Sequence, residues 1–274
     1  MCNYDSDILF IMDKNTTMKT LPNTITNLDI IKTFAVICMI IDHIGYYFLP
    51  DFDWLRAIGR LGGMPIWFFL IGYASSRQIP NRWIIGAMIL AVLEFGLFGN
   101  AFPLNVIITI IGIRLCIDYI MAFVLRTRYL FWLSLIILTL FYIPTNWVTE
   151  YGTLAILSAI VGYMVKHKDR LVRETFLTKY DYMGSYLFMV CAITILQISV
   201  FSFNGMQSLF LLLATGFVTY ILVTMKPTTY PDIKDKTVNA VLQFCGRRTL
   251  DIYVAHLVVF KITFWVLYLM GFYQ

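Results

Sequence analysis

Long apolar stretches recur along this chain, separated by short polar connections. A bilayer core about 30 Å thick takes about 20 helical residues to cross, and about 17 suffice. Nine runs come near that length: 28–49, 62–78, 83–99, 104–125, 129–143, 149–165, 183–203, 206–225 and 250–271. The second, third, fifth and sixth are short, which predicts little tilt or embedding within protein. Pro50, Pro80, Pro103, Pro144 and Pro227 fall in the connections, where a missing N–H is harmless. Pro65 falls in the first turn of the second run, a position helices tolerate. No internal repeat, low-complexity tract or second domain interrupts the pattern. It divides the chain into a polar N-terminal segment, 1–27, and a single membrane domain, 28–274. The polar segment has no apolar stretch of signal-peptide form, so the run beginning near Leu28 is expected to be a retained span.

Composition narrows the class. Hydrophobic residues make up 59% of the 274 and charged residues 14%, and the mean hydropathy is +0.76. Soluble domains carry about 25% charged residues, so too few polar side chains are present to cover a water-facing globule. Disorder is excluded by the same figures. The expected fold is an all-α polytopic membrane bundle of about nine transmembrane helices. The 16% aromatic content suits the membrane–water boundary.

The net charge of +5 reads as topology rather than as a nucleic-acid surface. Lys and Arg flank alternate connections: Arg77 and Arg82, Arg126 and Arg128, Lys166 to Lys179, and Lys226 to Arg248. The intervening ones, near Asn100, Thr145–Glu150 and Phe203–Gly205, carry none. The positive-inside rule therefore predicts a cytoplasmic N-terminus and an external C-terminus. Arg56 and Arg60 dissent, standing in the outer connection 50–61 beside Asp51 and Asp53. The five cysteines form no CxxC and no metal-ligand spacing, so no metal is expected.

Ionisable groups within hydrocarbon cost about 2.5–3.5 kcal/mol each on insertion scales, which makes each a functional candidate. The first run holds Asp42 and His43, the third Glu94, and the ninth Asp251, His256 and Lys261. The fourth holds Arg114 and Asp118, four apart and able to neutralise one another on one helical face. Asp251 suits the dipole at the start of its helix, and Lys261 needs a partner or a polar cavity. A histidine beside a carboxylate can take and return protons near neutrality, as acyl transfer requires. The same buried Asp, His, Arg and Lys would equally serve a proton-coupled transporter or flippase, although no repeat of the kind inverted transporters show is visible.

Two segments, L-D-I-I-K-T-F-A-V-I-C-M-I-I-D-H-I-G (28–45) and L-R-A-I-G-R-L (55–61), resemble the opening signature of the TraX-type proteins. P-L-N-V-I-I-T-I (103–110), T-E-Y-G-T-L-A-I-L-S-A-I-V-G-Y (149–163) and D-I-Y-V-A-H-L (251–257) are similar to later segments of that family, in order. The resemblance implies a multi-pass inner (plasma) membrane acetyltransferase related to the acyltransferase-3 superfamily, with acetyl-CoA as donor. Its acceptor would be an amine or hydroxyl, either a pilin N-terminus or an envelope glycan. L-G-G-M-P-I-W-F-F (61–69) departs from the family pattern and leans toward the sugar-directed branch.

Carried over, the resemblance implicates Asp42, His43, Arg56, Arg60 and His256. His43 would be the general base, Asp42 would orient or stabilise charge in that neighbourhood, and Arg60 would meet the oxyanion or an anionic group. Arg56, together with Arg247 and Arg248 just before the His256 helix, would bind the coenzyme. By the expected topology His43 lies about two-thirds of the way across from the cytoplasm and His256 about one-third. Whether they share one reaction centre is left open by the sequence.

Overall fold

The structure is a computed structural model and describes residues 24–230 and 235–272. Residues 1–23 of the polar N-terminal segment, residues 231–234 of the last basic connection and residues 273–274 lie outside the described residues. Apart from one short two-stranded pairing, the described fold is helical.

The strand β1 (Ile25–Thr26) pairs antiparallel with β2 (Thr229–Tyr230) and fastens the entry of the first helix. That helix, α1 (Asn27–Tyr47), starts at a capping box: Thr26 Oγ1 accepts from the Asp29 N–H, and Asp29 Oδ2 accepts from the Thr26 N–H at 3.0 Å. This arrangement satisfies orphan donors reciprocally at the first turn. After a tight connection come α2 (Asp53–Gly62), a π segment (Gly63–Phe68) and α3 (Phe69–Tyr73), which form one continuous but irregular helix.

This stretch corrects two expectations. The second run was expected to begin near residue 62, yet the helix already begins at Asp53 and ends at Tyr73. Arg56 and Arg60 therefore stand inside a packed helix rather than in an outer loop. Hydropathy missed them because their charges are neutralised by a partner on α1, not because they are solvated.

Two close approaches make that packing possible. A Cβ on Gly59 would stand 2.2 Å from the Asp42 Cβ, so only glycine lets α2 lie against α1 at that level. Further along, a Cβ on Gly162 would meet the Phe69 carbonyl oxygen at 2.0 Å.

The remaining helices are α4 (Asn81–Phe98), α5 (Val106–Val124), α6 (Arg128–Leu140), α7 (Tyr142–Asn146), α8 (Gly152–Lys166) and α9 (Lys168–Glu174). They are followed by α10 (Lys179–Phe201), α11 (Gly205–Thr224), α12 (Lys236–Arg247) and α13 (Thr249–Leu269). Five of these, α4, α5, α10, α11 and α13, are long and apolar enough to cross a membrane. α6 and α8, read from the sequence as spans, are apolar but only 13 and 15 residues long. α8 is the central post: eleven of its 15 residues are buried. The long helices show the opposite pattern and expose large apolar side chains, such as Val92 (71%) on α4 and Leu213 (64%) on α11. An apolar girdle of this extent would be unfavourable in water and matches a lipid-facing surface. The protein is an all-α, multi-pass membrane protein.

Candidate active site

A cavity of about 350 Å³ opens at the end of the bundle that carries the Lys- and Arg-free connections. The C-terminal ends of α1, α4 and α10 and the loops before α5 and α8 converge on it. A smaller cavity of about 40 Å³ continues inward, between His43, Glu150, Tyr151 and Trp67.

Asp42 anchors one wall. Its carboxylate is clamped by the two arginines of α2: Arg60 Nη2 donates to Oδ2 at 3.0 Å, and Arg56 Nη1 lies 3.0 Å from Oδ1 while donating to the Asp42 main-chain carbonyl at 3.0 Å. The two arginines are four apart and so share one face of α2, and Gly59 between them brings that face onto Asp42. Phe201 covers both guanidinium groups, at 5.0 Å from Arg56 and 4.2 Å from Arg60. The network holds two cations against one carboxylate, almost wholly out of contact with solvent. Asp42 thus pairs with α2 and is not the partner of His43.

The partner of His43 is His256. The structure brings the two histidines together across α1 and α13, with His43 Nδ1 2.9 Å from His256 Nε2. His256 Nδ1 lies 2.9 Å from the Ile252 carbonyl oxygen, which can only accept, so that nitrogen carries a proton. In neutral His256 the lone pair is then on Nε2, which must accept from His43 Nδ1–H. The network therefore assigns the His43 tautomer and leaves its Nε2 lone pair without a partner among the described residues.

Two residues that the sequence reading passed over complete the cavity. Glu150 and Tyr151, in the loop before α8, line both cavities. Glu150 Oε2 accepts from the Val106 N–H at 3.0 Å, and burial pushes its carboxyl up to about 7. Tyr151 is a non-glycine residue with φ of 69°, a left-handed conformation that costs about 1–3 kcal/mol and clusters at functional sites. Its hydroxyl accepts from Arg60 Nη1 at 3.3 Å, which leaves its own O–H free to donate. Burial holds that hydroxyl up at about 12, so it is a donor at neutral pH. The available signal was an acid in a connection with no Lys or Arg to pair with, beside a tyrosine followed by glycine.

The other candidates are already paired or stand away from the histidines. Lys261 donates to Glu94 on the cavity wall, so each settles the other's charge. Asp118 is held by Arg77 at 2.9 and 3.0 Å, not by Arg114 four residues before it, which replaces the expected pair within one helix. Arg247 reaches Asp29 and the Thr24 carbonyl oxygen, and Arg248 meets Asp251, which Arg82 also grips. Neither Arg247 nor Arg248 lines either of these two cavities.

A bundle with a lipid-facing girdle and a charged, histidine-bearing cavity defines a multi-pass membrane protein with a chemically equipped interior. The chain belongs to the TraX family, whose description is "TraX protein" and whose family model matches residues 27–263. It is similar to an uncharacterized protein of Rickettsia prowazekii (strain Madrid E), with 28% identity over 245 residues, 89% of this chain and 94% of that protein. No solved structure matches.

Proposed function

We propose that the protein is a membrane acetyltransferase that moves an acetyl group from acetyl-CoA to an amine or hydroxyl acceptor, with His43 as general base. Membership of the TraX family, which is associated with pilin acetylation, supports this reading. The observation that carries it is the oriented His43–His256 pair, with His43 in the wall of a cavity large enough for an acceptor terminus. A base fixed in one tautomer by a third group is the arrangement that activates nucleophiles in acyl transfer.

In the reaction, His43 Nε2 takes the proton of the acceptor N–H or O–H as that atom attacks the thioester carbonyl. His256 stabilises the imidazolium by accepting from its Nδ1–H. The Tyr151 hydroxyl donates to the developing oxyanion, and Arg60 polarises it from behind, a function usually worth several kcal/mol in a water-poor site. The C–S bond then breaks, the acetyl group stays on the acceptor, and the thiolate takes the proton from His43. Asp42 holds Arg60 and Arg56 in place and is a positioning residue. The acceptor, a pilin N-terminus or an envelope glycan, would enter from the external end, in a nine-pass topology with a cytoplasmic N-terminus in the inner membrane. The partners would be that acceptor and the lipid bilayer; nucleic acid has no part in the reaction, and no metal is required.

The test is release of free thiol from acetyl-CoA by purified protein, with and without a peptide bearing a free N-terminal amine. His43→Ala should lower transfer by at least about a hundredfold, the low end of general-base effects. His256→Ala should lower it less and shift the pH–rate profile, because the tautomer is no longer held. No thiol release by the wild-type protein with any amine or sugar acceptor would refute transfer and favour a transporter.

A further inference from the structure

At the opposite end of the bundle lies a third cavity, of about 130 Å³, walled by α1, α3, α4, α5 and the start of α13. Most of its lining is apolar, yet two cations enter it: Lys32 and Arg114. Neither has a carboxylate within ion-pair distance among the described residues. Arg114 lies over the Trp83 ring at 4.9 Å, and its Nε is buried with no acceptor. The acid four residues on, Asp118, is taken by Arg77, and Asp29, a turn before Lys32, is taken by Arg247. Two cations in apolar surroundings whose nearest acids serve other arginines form a site that lacks its anion.

The position of this site relative to His43 is specific. Lys32 and His43 are eleven residues apart on α1, which at 100° per residue puts them about 20° apart on one face and about 16 Å apart along the axis. Trp67 lines both this cavity and the small one that holds His43. The volume admits a phosphate group but not a whole nucleotide, so the rest of a nucleotide-like ligand would stay outside.

We propose that Lys32 and Arg114 form a binding site for a phosphate ester, at the end of the interior opposite the acceptor cavity. Two sources fit this chemistry: the phosphates of coenzyme A, whose flexible arm would run along α1 past Trp67 to His43, and the headgroup of an anionic phospholipid. The coenzyme assignment rests on the acetyltransferase reading, whereas the phosphate site does not. Lys32 and Arg114 would then hold the donor in place of Arg247 and Arg248.

Equilibrium binding to purified wild-type protein in nanodiscs distinguishes the sources, with coenzyme A in one arm and phosphatidylglycerol against phosphatidylcholine in the other. Lys32→Gln and Arg114→Gln should each weaken coenzyme A binding about tenfold, the usual loss of one charged hydrogen bond. Lys32→Arg should largely restore it. A readout independent of variant folding is protection of Lys32 from a small amine-reactive reagent in the wild-type protein, followed by peptide mass spectrometry. Protection by coenzyme A assigns the donor; protection by phosphatidylglycerol alone keeps the phosphate site and assigns it to lipid. If neither ligand protects Lys32, and the double variant binds both as wild type does, the site is refuted. That result would leave a His43-dependent transfer untouched, so the two proposals can fail separately.

Discussion

The two ends of the interior differ in how they settle charge. At the end with the large cavity the cations are held within the protein: Arg56 and Arg60 close on Asp42, and Lys261 closes on Glu94. At the other end Lys32 and Arg114 face an apolar cavity with no carboxylate at ion-pair distance among the described residues. A closed network holds its groups in one geometry before substrate arrives, which suits a site where charge develops during reaction. An open pair of cations suits a site that waits for an anion. On the proposed reading, the contrast separates a place for chemistry from a place for binding.

The largest effect should come from breaking the closed network. Asp42→Ala leaves two buried guanidinium groups facing each other, and loss of one partner of a buried pair costs about 3–5 kcal/mol. Arg114→Gln removes a cation that has no carboxylate partner among the described residues and only a ring contact with Trp83, so it should cost less than about 1 kcal/mol or stabilise the chain. Thermal unfolding of both variants in one detergent compares them directly. Equal losses would mean that the two ends do not differ in the way described.

A smaller effect should follow from Gly59→Ala. The added Cβ cannot coexist with Asp42 at its present distance, so α2 must shift, at about 1–3 kcal/mol for an overpacked contact. Transfer should fall more than stability, because Arg60 moves with α2 relative to the Tyr151 hydroxyl that it holds. A variant with full activity would show that the clamp need not be held so closely.

A further effect, spread over a pH range, concerns Glu150. The Glu150 carboxyl stands at about 7 in the folded chain, above its ordinary value of 4.5. Between those values the folded chain holds a proton that the unfolded chain has released. Stability should therefore fall as pH rises from about 4.5 to 7, by on the order of 3 kcal/mol at about 1.4 per unit, and level off above. Glu150→Gln should flatten that slope. An unchanged slope would place the titration on another group.

Helical periodicity and composition were enough to read the class of protein, the order of the apolar runs and the ionisable residues worth attention, because lipid makes every buried charge conspicuous. His43, His256 and Asp42 could be singled out in this way, each by its cost, whereas Arg60 was reached only through the family resemblance. Their partners could not. Nothing local joins His43 to His256, 213 residues away, or aims α2 at Asp42. The i,i+4 rule suggested Arg114 with Asp118, and the fold gave Asp118 to Arg77 instead. Glu150 and Tyr151 lay in a short loop that hydropathy reads only as a break, and their burial comes from the helices that close over it. A sequence records which charges must be settled. Which of them settle each other depends on distances across helices, set by glycine contacts such as Gly59 against Asp42, and only the tertiary structure contains those.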